Sequence, residues 1–288
     1  MVSHYYQTRF LLLLGSLLAI AAFWFVGTTF DVPEFLQRNV SLLQQPAPIV
    51  AILVVFIGFV VSLLIGTIVA GRIRIDAGLA TACVGLAVLS IRGGPIRFTL
   101  MYGDSSAIFR TLAMETVLLY AIIAAGWFGL WTLGRRGWLS DDRARDGVDP
   151  IDHTFSTGAM ALAAHAVVTA FVLLILAQSD DKAQVLAAVF IAAFIASLVS
   201  HHLFPTRPST WYWCGPLIVA VIGYLLAASN SPLSVVGQVG GYAPALARPA
   251  PLDYASAGTV GSLIGYWMSR QWMHQQEEER VKDGSAVA

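Results

Sequence analysis

The chain has 288 residues, of which 57% are hydrophobic and only 12% charged, and its formal net charge is zero. Water-soluble domains carry roughly twice that share of charge, so there is too little polar side chain to build a wet exterior. The arginines are scattered between apolar runs rather than gathered in a patch, which excludes a nucleic-acid surface and leaves lipid as the solvent.

Between Phe10 and Trp272 the sequence divides into about eight apolar segments of spanning length. The first runs from Phe10 to Phe30. It follows Arg9 and contains Ala19-Ile20-Ala21, a small-residue stretch of the kind found at cleavage sites. The apolar run continues well past it, so we expect an uncleaved helix. A polar break with Asp31, Glu34 and Arg38 leads to Pro46 and Pro48, and span two follows from Ile49 to Ala70. Span three, Ala77 to Ile91, is rich in glycine and alanine and stops at Gly93-Gly94-Pro95. The mixed stretch Ile96 to Ser106 reads as interfacial. Span four, Ala107 to Leu133, is long enough to tilt.

The main polar loop, Gly134 to Ser156, alternates arginines with aspartates. Span five (Thr157 to Leu176) and span six (Ala183 to Leu203) are joined by the tight turn Ser179-Asp180-Asp181-Lys182. Span seven runs from Trp211 to Ala228. Asn230 to Ala250 is rich in Gly, Pro and Ala and low in charge, which suits either a surface loop or a segment dipping into the protein. Span eight runs from Tyr254 to Trp272. The expected fold is therefore all-α, a polytopic bundle of about eight spanning helices. Residues 1–273 form one transmembrane domain, and residues 274–288 a polar cytoplasmic tail. With the N-terminus inside, eleven of the 17 Lys and Arg residues fall on the cytoplasmic side, so both termini are expected there, in a plasma membrane. Tyr5-Tyr6, Trp131, Trp138, Trp211-Tyr212-Trp213, Trp267 and Trp272 fall near span ends and read as headgroup anchors. Cys83 and Cys214 sit inside apolar runs without a ligand-like spacing, so they read as small buried hydrophobes.

Two stripes of small residues stand out. Gly58, Ser62, Gly66 and Ala70 recur every fourth residue on span two, and Ala257, Gly261 and Gly265 do so on span eight. Such faces let backbones approach closely, either within the bundle or at a contact with a membrane-protein partner or a second copy. Glu115 is the most unusual residue. It lies about eight residues, or ~12 Å, into span four, where a carboxylate is costly unless paired, hydrated or protonated. His165 sits at a matching depth in span five. If these two sequence neighbours form a hairpin, a Glu115–His165 pair becomes a candidate proton or ion site. Arg92, Arg97 and Arg110 crowd the same end of spans three and four and are candidate contacts for an anion or lipid headgroup. His201 and His202 are weak metal candidates, since adjacent helical residues point about 100° apart. The aspartates between Asp141 and Asp152 lie among arginines and read as a solvated loop. Ser200 and Ser256 lack the glycine-rich context of a serine nucleophile.

No motif names a reaction, so no cofactor is expected and an enzymatic role is not favoured. The leading expectation is a structural or accessory subunit of a membrane assembly, with the bilayer as its principal partner. The alternatives are a small-solute or proton transporter or channel using Glu115 and His165, and a lipid-modifying membrane enzyme.

Overall fold

The computed structural model describes residues 2–30, 41–70, 75–96, 100, 105–135, 154–229 and 243–282. Among these residues it is a helical bundle without strands. The long helices are α1 (Val2–Thr28), α2 (Pro48–Ala70), α3 (Ile75–Arg92), α4 (Ser105–Arg135), α5 (Phe155–Leu176) and α6 (Lys182–Leu203). A short turn α7 (Thr210–Trp213) precedes α8 (Gly215–Ser229). A 3₁₀ turn at Ala245–Ala247, a helical turn at Pro251–Asp253 and a π-helical segment at Tyr254–Gly258 lead into α9 (Thr259–Lys282). Helix therefore continues past Trp272 into the charged tail.

Six of these regions are long and apolar enough to cross a membrane: α1 from Phe10, α2, α4, α5, α6 and the α7–α8 stretch. They surround the other two. Helix α3 and the first half of α9 are buried nearly throughout, so they face protein rather than lipid and tolerate Ala, Gly, Ser and Thr. The outer helices instead expose large apolar side chains, among them Ile49, Ile68, Val167 and Phe171. In water such a belt would aggregate; against acyl chains it needs no cover.

Helices α1, α2 and α3 pack on one another, and α6 packs on both α5 and α9. Helix α4 packs on α8, and α3 joins the groups through the 251–258 segment. Cross-contacts fix the directions. Gly15 of α1 and Gly66 of α2 both meet Thr81 of α3, while Arg92 at the end of α3 donates to the Trp24 carbonyl near the end of α1 at 3.0 Å. Thus α1 and α3 are parallel, with α2 antiparallel between them. Ser106 at the start of α4 donates to the Ala228 carbonyl at the end of α8. Phe190 and Phe194 of α6 face Gly261 and Gly265 of α9 in register, so these two are parallel. Eight helices alternate, and the start of α1 and the end of α9 lie at the same face of the bundle.

The small-residue stripes lie at interior contacts. A β-carbon on Gly66 would overlap the Thr81 side chain, and one on Gly58 would stand 2.8 Å from Val26 Cγ2. Ser62 is fully buried. On the other stripe, β-carbons on Gly261 and Gly265 would strike the backbone carbonyl oxygens of Phe190 and Phe194. Backbone cannot step aside, so these glycines set the spacing of α6 and α9. Ala257 is buried as well, and of Ala70 only the backbone lies within the described residues.

The segment 243–258 dips into the bundle. Its Ala247 is fully buried, and a β-carbon on Gly223, within α8, would lie 2.6 Å from the Leu246 carbonyl oxygen. Its free carbonyls are answered by tyrosines: Tyr254 Oη donates to Leu246 O at 2.7 Å, Tyr224 Oη donates to Pro249 O, and Tyr120 Oη donates to Tyr254 O at 2.8 Å. Such pairing is required where irregular backbone sits at membrane depth. Tyr212 and Trp213 are also buried, as part of the core rather than as headgroup anchors.

Two glycine substitutions test this packing. Gly261→Ala is expected to cost about 1–3 kcal/mol, read as a lower unfolding temperature in detergent. Gly129→Ala in α4, where nothing lies within 4 Å of the added carbon, is expected to be neutral or to stabilise by up to about 1 kcal/mol.

Candidate functional site

The buried face of α5 presents Gly158, Ala161, His165, Thr169 and Leu173, a three-to-four-residue repeat that puts the imidazole toward the centre. His165 is fully buried. Its Nε2 lies 3.0 Å from Ser197 Oγ of α6 and 3.2 Å from Ser262 Oγ of α9, and its Nδ1 lies 3.2 Å from Thr169 Oγ1 one turn along α5. Hydroxyls of three helices thus converge on one ring. A neutral imidazole donates from one nitrogen and accepts at the other, while a hydroxyl does either. The direction of every bond in this set reverses when the tautomer changes.

Two irregular helical turns meet beside this ring. At Cys214, between α7 and α8, the helix is irregular but its backbone stays helical: the Cys214 N–H still donates to Thr210 O and the Ile218 N–H to Cys214 O at 3.4 Å, while Pro216 has no N–H to add to the ladder. A β-carbon on Gly215 would overlap the His165 imidazole, so only glycine admits the ring there. The second irregular turn is the π-helical Tyr254–Gly258, a geometry that recurs at functional sites. Its last residue, Gly258, abuts Pro216: a β-carbon on Gly258 would stand 2.9 Å from Pro216 Cβ.

Buried polar groups continue along α9 in both directions. Toward its start are Thr259, then Tyr254 with the Tyr120 hydroxyl on its carbonyl. Toward its end is Ser269, whose hydroxyl lies 2.9 Å from His201 Nδ1. His201 is buried against the rings of Tyr212 and Tyr266, with centroids at 5.4 and 5.1 Å, and its Nε2 has no partner among the described residues.

Glu115 occupies a separate place. It is fully buried in α4. Ser41 Oγ donates to its Oε2 at 2.5 Å and the Leu43 backbone N–H donates to the same oxygen at 3.2 Å, both from the α1–α2 connection. Oε1 has no hydrogen-bond partner, and among the described residues Glu115 makes no ion pair. Glu115 and His165 are not hydrogen-bonded to each other. Helices α4 and α5 each pack against α8 rather than forming a close hairpin.

The remaining candidates disperse. Arg92 lies over the Trp24 ring at 5.0 Å, Arg110 is exposed on α4, and Arg97 lies outside the described residues. His202 is exposed while His201 is buried. Among the described residues no three His, Cys, Asp or Glu side chains converge as a metal site. The aspartates from Asp141 to Asp152 also lie outside the described residues. Cys83 and Cys214 are both free thiols.

Sequence reasoning missed an ionic centre at the opposite end of the bundle from the α7 turn. Asp253, only 1% exposed, accepts from Lys182 Nζ at 2.6 Å, from Ser90 Oγ, and from the Ala250 N–H at 2.8 Å. Nearby, Arg248 Nε lies 3.6 Å from Asp180 Oδ1 and donates to Ala243 O at 2.7 Å. The dipping segment carries Arg248 and Asp253, and the α5–α6 turn carries Asp180 and Lys182. Opposite charges therefore pair crosswise and dock the segment. The available signal was the placement of Lys182 and Asp253 at span starts on one face.

No family model matches the chain, and neither a curated protein nor a solved structure matches it.

Removing one member of a buried pair strands the other's charge. Lys182→Met is expected to cost roughly 3 kcal/mol, while Lys182→Met/Asp253→Asn should recover at least half of that loss in detergent melting curves.

Proposed function

We propose that this helical protein, whose apolar helices fit a lipid bilayer, moves protons through the bundle, along a path of buried hydroxyl and imidazole groups that follows α9 and is centred on His165. The observation that carries this reading is the convergence of Ser197, Ser262 and Thr169 on one imidazole, beside the contact of Gly258 with Pro216. Gly258 ends a π-helical segment, a geometry that recurs at functional sites. Histidine is the side chain whose ordinary protonation range suits such a role.

From Asp253 to Arg270 the path is about 25 Å at 1.5 Å per residue, close to the thickness of the hydrocarbon core. Ser262 lies near its middle. A proton arriving at one ring nitrogen is matched by release from the other, with the hydroxyls reorienting afterwards; no bond between heavy atoms changes. On the asymmetry of Lys and Arg, the face with the start of α1 and the end of α9 is cytoplasmic.

The accessory-subunit reading draws on few intramembrane charges, compact loops and the small-residue stripes. Of these, Gly58, Gly66, Gly261 and Gly265 meet neighbours within the chain, which makes the stripes internal packing faces and leaves the other two motives standing. The lipid-enzyme reading finds no support in the divergent placement of His201 and His202.

Proteoliposomes carrying an internal pH-sensitive dye test the proposal. With a potassium diffusion potential imposed, the wild-type protein is expected to move protons at least about tenfold faster than His165→Gln, which keeps a hydrogen-bonding group but cannot relay at neutral pH. Ser262→Ala is expected to fall between them. Equal rates for wild type, His165→Gln and protein-free vesicles would overturn the reading.

A further inference from the structure

The α1–α2 connection does more than join two helices. Ser41 and Leu42 are buried, and the chain there turns inward so that two donors reach a carboxyl 72 and 74 residues further on. Both donors meet Oε2, and among the described residues nothing meets Oε1. An ionised carboxylate spreads its charge over two oxygens and calls for donors at each. A neutral carboxyl needs donors only at its carbonyl oxygen and has one O–H of its own to give. Two donors on one oxygen and none on the other form the pattern of the neutral acid, with its carbonyl at Oε2 and its hydroxyl at Oε1, and that hydroxyl finds no acceptor among the described residues.

The surroundings do not alter this. On α8, Tyr224 gives its hydroxyl to Pro249 O. On the 251–258 segment, Asp253 is paired with Lys182 and Tyr254 donates to Leu246 O. Helix α3 contributes the buried thiol Cys83. On α4 itself, Tyr120 is engaged with Tyr254 O, and Arg110 is exposed. The described part of the connection, Ser41–Ala47, has no charged side chain. A proton leaving Oε1 for water therefore strands an anion in a dry site, at a cost of several kcal/mol. Swinging the connection aside hydrates that anion and removes the cost.

We propose that Glu115 is a proton-binding site at the α1–α2 end of the bundle, and that Ser41–Ala47 is its lid, closed on the neutral carboxyl and opened when the carboxyl ionises. This deepens the proton-path reading by giving it a gated entrance. Its test reads the position of the lid rather than flux, so either can fail alone.

The reporter is Leu42→Cys, a buried lid position, in a background with Cys83 and Cys214 replaced by alanine. Its labelling by a membrane-impermeant maleimide in liposomes is divided by that of an exposed Gln178→Cys, which corrects for thiolate chemistry. From about pH 5.5 to about pH 8.5 the corrected rate is expected to rise at least about tenfold. Glu115→Gln, isosteric and always neutral, should hold the slow rate throughout. Ser41→Ala should raise the rate at low pH, and Ser41→Thr should restore it. His165→Gln should leave the profile intact. A flat wild-type profile, or the same rise in Glu115→Gln, would overturn the lid, provided both proteins run as monodisperse species.

Discussion

Inside an apolar slab a polar group has no water to turn to, and the irregular backbone and the buried charges near Asp253 are answered from within the chain. That constraint explains why its two central helices are rich in small and hydroxyl-bearing residues. Helix α3 and the start of α9 carry Ser, Thr, Gly and Asp residues, and each is wrapped by helices that are apolar toward lipid. Where the backbone departs from regular helix, at residues 243–258, three tyrosine hydroxyls take up the exposed carbonyls. Where charge enters, it is paired crosswise, Asp253 with Lys182 and Asp180 with Arg248.

Close packing makes this economy workable. Without a hydrophobic drive between helices in lipid, contact depends on dispersion and on how nearly backbones approach. Glycines at 66, 261 and 265 bring side chains or carbonyls of α3 and α6 into contact with neighbouring backbone. The same closeness lets short hydroxyls reach across helices. Ser197 and Ser262 meet one imidazole nitrogen because α6 and α9 lie parallel at glycine spacing, and Gly215 clears the room that the ring occupies. Packing and polar chemistry are one arrangement here, and a change in either disturbs the other.

Much of the fold was legible because spanning length and hydropathy are strong local signals. The ends of α2, α4, α5 and α6 fall within a few residues of where the apolar runs stop. The span Trp211 to Ala228 matches the helical stretch Thr210–Ser229, and Pro216 marks its one irregular turn, at Cys214. The course of 243–250 was not legible, because low charge suits a surface loop and a buried one equally. Glu115 and His165 stand out as single polar residues in apolar context. Their partners do not, since serine is an ordinary residue in membrane helices and Ser41 lies 74 positions away. Proximity in sequence suggested an α4–α5 hairpin, but the loop between them is long enough for α8 to pack against both. Adjacency along the chain is a weak guide when connections are long.

A polar seam lies sealed within the bundle, with His165 held by hydroxyls of three helices. A structure determined by electron cryomicroscopy in lipid nanodiscs tests it most directly. The account predicts His165 Nε2 within hydrogen-bonding reach of both Ser197 and Ser262, Gly258 against Pro216, and acyl chains over Val167 and Phe171. An imidazole turned toward lipid, or one out of reach of both serines, would contradict it.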